Sequence, residues 1–139
     1  MTGDAAERLF PGAVRYRPGD GPALNAEILG LMRAGRKTAT CAALSEFSEA
    51  EPAPEPGRVD IALDWAGQPA LATRTLAVEQ LRWDEMDEAR VPPQGEFRDL
   101  ADWRAGYRAY LTRAGRFRED LPLIYETFAV VHDFGEEAA

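Results

Sequence analysis

The sequence contains one cysteine and one histidine, and this scarcity limits the chemistry open to the chain. Cys41 has no second cysteine with which to form an internal disulfide, and no cysteine cluster is present to bind zinc. With His132 as the single imidazole, a transition-metal site is not expected. We therefore predict that the protein uses neither a metal ion nor a cofactor.

Long apolar runs are also missing. The first ten residues include Asp4, Glu7 and Arg8 and contain no apolar segment of signal-peptide length. No stretch elsewhere approaches the ~20 apolar residues that span a bilayer. We predict a soluble, cytoplasmic protein that makes no membrane contact.

Basic residues are outnumbered by acidic ones. Lys and Arg total 16 against 24 Asp and Glu, so the net charge is −8. Because general nucleic-acid affinity comes from many basic side chains that neutralise phosphates, a tight, non-specific RNA or DNA binder is disfavoured. One arginine-rich stretch is either a solvated helix face and loop or a site for a small polyanion. It comprises Arg104, Arg108, Arg113, Arg116 and Arg118.

The length of the chain fits one domain. Its 139 residues, 45% of them hydrophobic, are sufficient for a single core. Residues 1–19 show little periodicity beyond an extended piece near 13–16, and we interpret them as an N-terminal extension. Residues 49–56 hold three prolines among acidic residues and are expected to form a surface loop within the domain. We predict a single domain over 1–139, as a monomer or homodimer.

Hydrophobic periodicity predicts two main helices and four or five strands. Apolar residues recur at helical spacing from 24 to 32, between a proline at 22 and a glycine at 35. A second amphipathic helix over 100–111 follows the capping residue Asp99. One or two helical turns are expected over 83–89. Strands are predicted over 36–41, 59–65 with one buried face, 70–81 and 123–134. This arrangement favours a small mixed barrel or an α+β sheet, closed by the C-terminal strand.

Lys37 is the only lysine among the 16 basic residues. An arginine stays protonated, whereas a desolvated lysine can lose its proton and act as a base. Thr40 follows three residues later, and a hydroxyl beside a neutral amine is the minimum needed to attack a carbonyl. Residues three apart in a regular strand face opposite sides, so the pair requires a bulge or turn within 37–40. The alternative is a strand-edge lysine in solvent and a threonine present for its β propensity.

The segment Gly35-Arg36-Lys37-Thr38-Ala39-Thr40 resembles the Gly-x-Lys-x-x-Thr signature of the ASCH domain family. It directly follows an amphipathic helix, as it does in that family. The likeness extends over residues 20 to 131, through 23–34, 57–63, Gly95-Glu96 with 100–103, and 125–131. ASCH domains are PUA-like barrels. The resemblance therefore implies an α+β fold, a PUA-like small β-barrel with two main flanking helices, whose Lys and Thr face a cleft.

The resemblance also implies a function and residue roles. Some members of the family are similar small amidohydrolases that remove acyl groups from the exocyclic amine of cytidine, and others have been linked to RNA binding or RNA cleavage. Matched residue by residue, Thr40 is the nucleophile, Lys37 the base and Glu96 the acid. A modified nucleoside or a short RNA is the implied partner. Residues expected to bind it are Gly35, Arg36, Arg98 and Glu126.

The sequence departs from the family after Glu96. Longer members tend to read Gly-Asp-Arg-Ser-Leu there, whereas this chain reads Phe97-Arg98-Asp99-Leu100, one residue shorter. Glu126, on the same predicted strand face as Ile124 and Phe128, is therefore the rival acidic partner. Its alternative role is that of a buried partner for an arginine.

Two functional hypotheses follow for the same cleft. In the first, the protein is an N4-acylcytidine amidohydrolase in which neutral Lys37 deprotonates Thr40. In the second, it is an RNA-binding module in which Lys37 and Arg36 meet phosphate while Tyr16 or Phe47 stacks on a base. A ribonuclease is a variant of the second, but the only imidazole lies on a predicted strand where a surface or core role is favoured. The acidic net charge favours the amidohydrolase.

Overall fold

The computed structural model describes residues 2–49 and 52–135. Three α-helices and five strands organise these residues: α1 (Thr2–Leu9), β1 (Val14–Tyr16), α2 (Pro22–Arg33), β2 (Ala39–Ala43), β3 (Val59–Leu63), β4 (Pro69–Arg82), α3 (Leu100–Arg113) and β5 (Pro122–Asp133). Short 3₁₀ turns connect them at Leu44–Glu46, Trp83–Glu85, Glu88–Arg90 and Pro92–Gln94. The two main helices and the long C-terminal strand predicted from periodicity are all present.

The five strands form one curled sheet in the order β1-β3-β4-β5-β2. β1 runs parallel to β3, and the other pairs are antiparallel. As expected for a closing strand, β5 pairs with β4 on one side and with β2 on the other. The sheet is a half-barrel, which confirms the predicted α+β small barrel. Its two edges, β1 and β2, border one cleft.

The convex face of β2 and β5 is buried beneath α3. The largest core cluster joins these three elements and includes Ala39, Cys41, Ala43, Trp103, Leu111, Leu123 and Tyr125. Burial of the large side chains in this cluster, such as Leu111 and Leu123, contributes roughly 1.5–3 kcal/mol each to the free energy of folding. The helix begins where the sequence predicts, because Asp99 Oδ1 accepts a 2.8 Å hydrogen bond from the backbone N–H of Asp102.

Helix α2 covers one end of the opposite, concave face. Leu29 and Met32 of this helix pack against Leu71 and Phe128 of the sheet. The helix ends at a glycine as predicted, since Gly35 adopts a φ of 73°. The next two backbone N–H groups donate to the carbonyl of residue 31 at 2.9 and 3.1 Å, which turns the chain toward the start of β2.

Three local expectations differ from the structure. Residues 2–9 form a helix that periodicity did not predict, because it buries small side chains, Ala5 and Ala6, against the sheet and Phe134. β2 begins at residue 39 rather than 36. β3 is buried on both faces, with Asp60 at 8% and Ala62 at 0% exposure, because helix α1 packs against Ile61 on one face and helix α2 against Ala62 on the other. The loop predicted over 49–56 lies partly outside the described residues, and its described part, residue 49 and residues 52–56, contains no helix or strand.

Candidate active site

A cleft of about 970 Å³ lies over the concave face, between edge strands β1 and β2. This volume lies within the range that accommodates small-molecule ligands. Lys37, Thr40, Glu96 and Glu126 all line the cleft. Four of the residues singled out from the sequence therefore meet in one place, although they come from three distant parts of the chain.

Six polar side chains cross the concave face from one edge strand to the other. Paired residues on neighbouring strands share a face, and the register places Asp60 opposite Thr73 and Thr40 opposite Glu126. We call this set the polar row: Tyr16, Asp60, Thr73, Thr75, Glu126 and Thr40. Five of its members line the cleft directly.

The sixth member, Thr75, lies beside a β-bulge in β4. Ala77 pairs with Thr127, but Thr75 pairs with Phe128, so Leu76 is the extra residue. Thr75 is two residues from Thr73, and Phe128 is two residues from Glu126, so strand alternation places Thr75 on the same face as Glu126. The Thr75 hydroxyl donates a 2.7 Å hydrogen bond to Glu126 Oε2.

Lys37 is 5% exposed and lies at one wall of the cleft. Its Nζ donates to three oxygens: the carbonyls of Ala39 at 3.1 Å and Gln94 at 3.0 Å, and Glu96 Oε2 at 2.7 Å. Three acceptors match the three N–H donors of an ammonium group, and the carboxylate balances its buried charge. The Ala39 carbonyl belongs to the peptide that joins Ala39 to Thr40, so the amine lies one peptide unit from the threonine.

Lys37 lies in the connection that precedes β2. Because the strand starts at Ala39, strand alternation does not fix the direction of the Lys37 side chain. Thr40 faces the concave side, whereas its neighbour Cys41 packs in the α3 core. Lys37 and Thr40 both line the cleft, and the close approach of their side chains stays a prediction.

Residues 92–96 hold the Lys37–Glu96 ion pair in place. The backbone N–H of Thr38 donates to the Pro93 carbonyl at 2.7 Å. Gly95 adopts a φ of 75°, and a Cβ at that position would lie 2.8 Å from the Arg36 carbonyl oxygen. Only glycine permits this approach, and the acid that follows it thereby reaches the lysine.

Gln94 is a buried site residue that sequence reasoning missed. It is 2% exposed, its Oε1 accepts from the Trp103 indole at 3.1 Å, and its Nε2 donates to the Arg90 carbonyl at 2.9 Å. Its own backbone carbonyl accepts from Lys37. Gln94 thus connects the core beneath α3 with the buried amine, and no periodic signal marks a glutamine between a proline and a glycine.

A second ion pair occupies the β3 part of the polar row. Arg58 donates to both oxygens of Asp60, at 2.7 and 2.8 Å. It also donates to the carbonyls of Pro52 and Ala53 at 3.1 and 3.0 Å, which fixes the loop to the cleft. Sequence reasoning missed this pair as well. Opposite charges two residues apart on one strand face are the signal that could have found it.

The polar row perturbs the acidity of its members. Burial raises the pKa of Glu126, and the nearby Asp60 carboxylate raises it further, while the Thr75 hydrogen bond, Arg58 and Lys37 act in the opposite direction. Burial and the same two carboxylates raise the pKa of Tyr16. Burial in the cleft therefore favours the neutral forms of Glu126 and Tyr16.

Cys41, beside the candidate nucleophile, is chemically quiet. Burial raises the pKa of its thiol to about 11. The Tyr107 hydroxyl donates to the Cys41 carbonyl, and the Sγ lies 3.6 Å from the side-chain oxygen of Gln94. A thiol with this pKa holds almost no thiolate near neutral pH, which disfavours Cys41 as a nucleophile.

The remaining predicted binding residues do not line the cleft. Gly35 ends α2, and Arg36 is exposed beside it. Arg98 has an 85% exposed side chain and lies 3.7 Å from Asp102. His132 packs edge to face on Phe134, with ring centroids 4.6 Å apart. Four residues were expected to bind substrate. Glu126 lines the cleft, and the other three do not.

The arginine-rich stretch is largely engaged with its own structure. Arg104 and Arg108 lie over the rings of Trp83 and Phe117, at 6.0 and 4.8 Å from their centroids. Arg116 donates to the Ser45 hydroxyl at 2.9 Å. These contacts favour the solvated helix face over a polyanion site.

The described residues contain neither a cluster of metal ligands nor a helix that could span a membrane. Over 2–49 and 52–135, no three His, Cys, Asp or Glu side chains are placed to hold a metal ion together. In the same part of the chain, every helix is too short or too polar to cross a membrane.

The sequence and the fold both resemble known proteins. The sequence model of the ASCH domain matches residues 15–132. None of the curated proteins compared with this chain matches it. Three solved structures resemble the fold, and the first two support the predicted PUA-like barrel.

The first is the ASCH domain from Lactobacillus crispatus JV V101, which is 23% identical, with a TM-score of 0.78 over 91% of this chain and 84% of that one. The second is protein EF3133 from Enterococcus faecalis V583, which is 25% identical, with a TM-score of 0.79 over 98% and 88%. The third is hypothetical protein PH0355, which is 14% identical, with a TM-score of 0.59 over 86% and 99%.

Proposed function

The chain belongs to the ASCH domain family, and on that basis we propose that it is an amidohydrolase that removes the acyl group from the exocyclic amine of N4-acylated cytidine. The observation that carries this proposal is the 2.7 Å contact between Lys37 Nζ and Glu96 Oε2, in the cleft that Thr40 also lines. In this proposal Thr40 is the nucleophile, Lys37 the base and Glu96 the acid.

Proton transfer within the ion pair would prepare two catalytic groups together. Nζ donates to three oxygens, which is the pattern of a protonated lysine in the resting protein. A protonated lysine cannot act as a base. Movement of one proton along the Lys37–Glu96 contact produces a neutral amine and a protonated carboxyl group. A bound ligand that excludes water favours this transfer, because separated charges lose stability in a less polar medium. The pair then holds a base and an acid at the same time.

Acylation of the enzyme uses both groups. Lys37 Nζ removes the proton of Thr40 Oγ1 as that oxygen bonds to the acyl carbon. The carbonyl oxygen takes up the negative charge, and backbone N–H groups near the threonine are the proposed donors to it. The C–N bond then breaks, Glu96 gives its proton to the exocyclic nitrogen, and cytidine leaves an ester on Thr40.

Deacylation repeats the same proton movements. A second transfer from Lys37 to Glu96 restores the neutral amine, which takes a proton from water as the water oxygen attacks the ester carbon. The ester C–O bond breaks and Glu96 returns its proton to Thr40 Oγ1. The carboxylic acid is released and the resting ion pair is restored.

An RNA-binding module is the second candidate. Tyr16 and Phe47 line the cleft, and a base of single-stranded RNA could stack on either ring. Lys37, Glu96 and Glu126 oppose this function, although Arg15, Arg17 and Arg113 also line the cleft. The Lys37 donors are all directed at protein oxygens, and a phosphate would meet the carboxylates of Glu96 and Glu126. We therefore rank the amidohydrolase first.

The test is hydrolysis of N4-acetylcytidine, with cytidine quantified by chromatography. The wild type should release cytidine, and Thr40→Val should lower kcat/KM by about 10³-fold or more, as expected when a nucleophile is removed. Thr38→Val is the matched control, because that threonine is exposed and lies outside the cleft lining. Wild-type protein that releases no cytidine from acetyl, propionyl or benzoyl substrates would refute the proposal. Salt-sensitive RNA binding without product would support the module instead.

A further inference from the structure

We propose that Glu126 recognises two neighbouring atoms on one edge of the substrate. These atoms are the amide N–H and the ring nitrogen adjacent to the carbon that bears the amide. This inference rests on the proposed function and narrows its substrate class. The class is N-acylated amino derivatives of nitrogen heteroaromatic rings in which a ring nitrogen adjoins the amide-bearing carbon. N-acylcytosines have this edge, whereas N-acyl lysines and simple anilides lack it.

The position of Glu126 beside the nucleophile is the first support. It lies directly across from Thr40 on the β2–β5 pair, where facing Cβ atoms are about 4.5–5.5 Å apart. The Lys37–Glu96 pair lies at the beginning of β2. When an acyl carbon sits over the Thr40 hydroxyl, the amide nitrogen is one bond away. That nitrogen and its ring then lie within reach of the Glu126 carboxyl group.

The hydrogen bond from Thr75 assigns different tasks to the two carboxyl oxygens. Thr75 donates to Oε2, so Oε2 remains an acceptor and its second lone pair is free to accept the amide N–H. In the neutral acid the proton then resides on Oε1, which donates to the ring nitrogen. Two parallel hydrogen bonds of this kind recognise a planar edge in both position and direction.

The other carboxylates of the polar row and of the ion pair beside it are already committed. Both oxygens of Asp60 accept from Arg58, and Glu96 accepts from Lys37. The hydroxyl of Thr73 offers a single donor. Among the polar row and the ion pair beside it, Glu126 is the side chain that can donate to one atom and accept from its neighbour.

The surroundings of Glu126 favour the neutral form that this contact requires. Groups from four elements face it: Tyr16 from β1, Asp60 from β3, the Thr75 hydroxyl from β4, and Lys37 from the connection before β2, with Arg58 just before β3. Burial and Asp60 together raise the pKa of Glu126 against the opposing influence of the two cations. Recognition should therefore weaken as the pH rises and the acid loses its proton.

The experiment compares N4-acetylcytidine with its 3-deaza analogue, in which the ring nitrogen is replaced by C–H. Their hydroxide-catalysed hydrolysis rates correct for intrinsic reactivity. The wild type should prefer the first substrate by about 10- to 100-fold in corrected kcat/KM, the usual worth of a bidentate contact. Glu126→Leu should lose that preference. Glu126→Gln, which keeps one donor and one acceptor, should retain the preference without the fall in kcat/KM at high pH.

The outcomes separate the two proposals. Equal corrected rates for both substrates in wild type, or a high-pH fall that persists in Glu126→Gln, would overturn the role of Glu126 and leave the amidohydrolase standing. Wild-type protein inactive on both substrates would overturn the proposed function and this inference with it. Glu126→Gln preserves an acceptor for Thr75, and thermal unfolding confirms that each variant is folded before its rate is interpreted.

Discussion

Thr40 and Glu126 face each other across the pairing of β2 with β5, near the end of the polar row at the open edge of the sheet. This relationship exists only after the last strand of the chain has inserted between β4 and β2. The candidate active site is therefore a product of sheet register. Lys37 and Glu96 reach the same place by a different route, through the close approach of residues 92–96 to the start of β2.

Gly95 should be needed for the site as well as for stability. Gly95→Ala requires an L residue at a φ of 75° and places a Cβ 2.8 Å from the Arg36 carbonyl oxygen. We expect a loss of about 2–3 kcal/mol in unfolding free energy and a clear fall in kcat, because the backbone beside Lys37 must move. Chemical denaturation and steady-state kinetics measure the two effects.

Gly67→Ala is the matched control for that change. Gly67 adopts a φ of 86°, but nothing lies within 4 Å of its Cβ position. The free energy of unfolding of Gly67→Ala should be only about 1 kcal/mol lower than that of wild type, because of the backbone conformation alone. The variant should keep its activity. Equal effects of the two substitutions on kcat would show that the contact of Gly95 with residues 36 and 37 is unimportant.

Glu96 should contribute to both the chemistry and the stability of the buried amine. Glu96→Gln keeps the shape of the side chain but removes the charge opposite Lys37, so the ammonium is left in a buried position without its counter-ion. We expect a loss of about 2 kcal/mol in unfolding free energy and of about 10²-fold or more in kcat/KM.

Asp120→Asn provides the comparison with an exposed ion pair. Asp120 lies 3.5 Å from Arg118, and both side chains are more than half exposed. Its loss should change the unfolding free energy by less than about 1 kcal/mol and leave the rate unaffected. Similar kcat/KM values for wild type and Glu96→Gln would show that Glu96 is not the catalytic acid.

Features that depend on local signals could be predicted from the sequence. Three such features involve residues within a few positions: the apolar period of α2 with its glycine stop, the Asp99 cap of α3, and the spacing of three residues between Lys37 and Thr40. Glu96 could be chosen only through the family resemblance, because it stands four residues before Leu100, as the acid of the family does. The structure places Lys37, Thr40 and Glu96 in one cleft.

Features that depend on register could not be predicted in the same way. The Thr75–Glu126 hydrogen bond depends on how β4 pairs with β5, and the bulge at Leu76 that shifts this register has no distinct periodic signature in a long strand. The burial of Asp60 could not be predicted, because strand alternation does not show whether helices cover one face of a strand or both. Gln94 is positioned by packing against Trp103, a contact between residues in different elements.

The free energy of unfolding should report the environment of Glu126. Burial raises the pKa of the folded form above the unfolded value of about 4.3. Between these two pKa values the folded state binds more protons than the unfolded state, so stability falls as the pH rises through this window. Glu126→Gln cannot ionise and should unfold at a higher temperature than wild type near pH 7.

That stability gain should disappear at pH values below about 4, where the wild-type acid is protonated in both states. Glu119→Gln, which changes an exposed residue, is the control and should have little effect at either pH. A Glu126→Gln protein that is less stable than wild type near neutral pH would contradict the pKa shift and its cause.

Cys41 should react slowly in the folded protein and be dispensable for catalysis. With a pKa of about 11, its thiolate fraction is more than about 100-fold below that of a free cysteine near pH 8. Iodoacetamide labelling followed by mass spectrometry should therefore be at least about 100-fold slower in the folded than in the urea-denatured protein. Cys41→Ala should retain kcat/KM. Rapid labelling that substrate prevents, or an inactive Cys41→Ala protein, would assign the nucleophile to the thiol.

The Lys37→Arg substitution gives the most direct test of the account, because a guanidinium keeps the charge beside Glu96 but cannot become a neutral base. The measurement is kcat/KM for N4-acetylcytidine, made on wild type and on Lys37→Arg protein whose fold is verified by circular dichroism. We predict a fall of about 10³-fold or more. Equal rates in the two proteins would show that a neutral amine at position 37 is not the base, and would contradict the account.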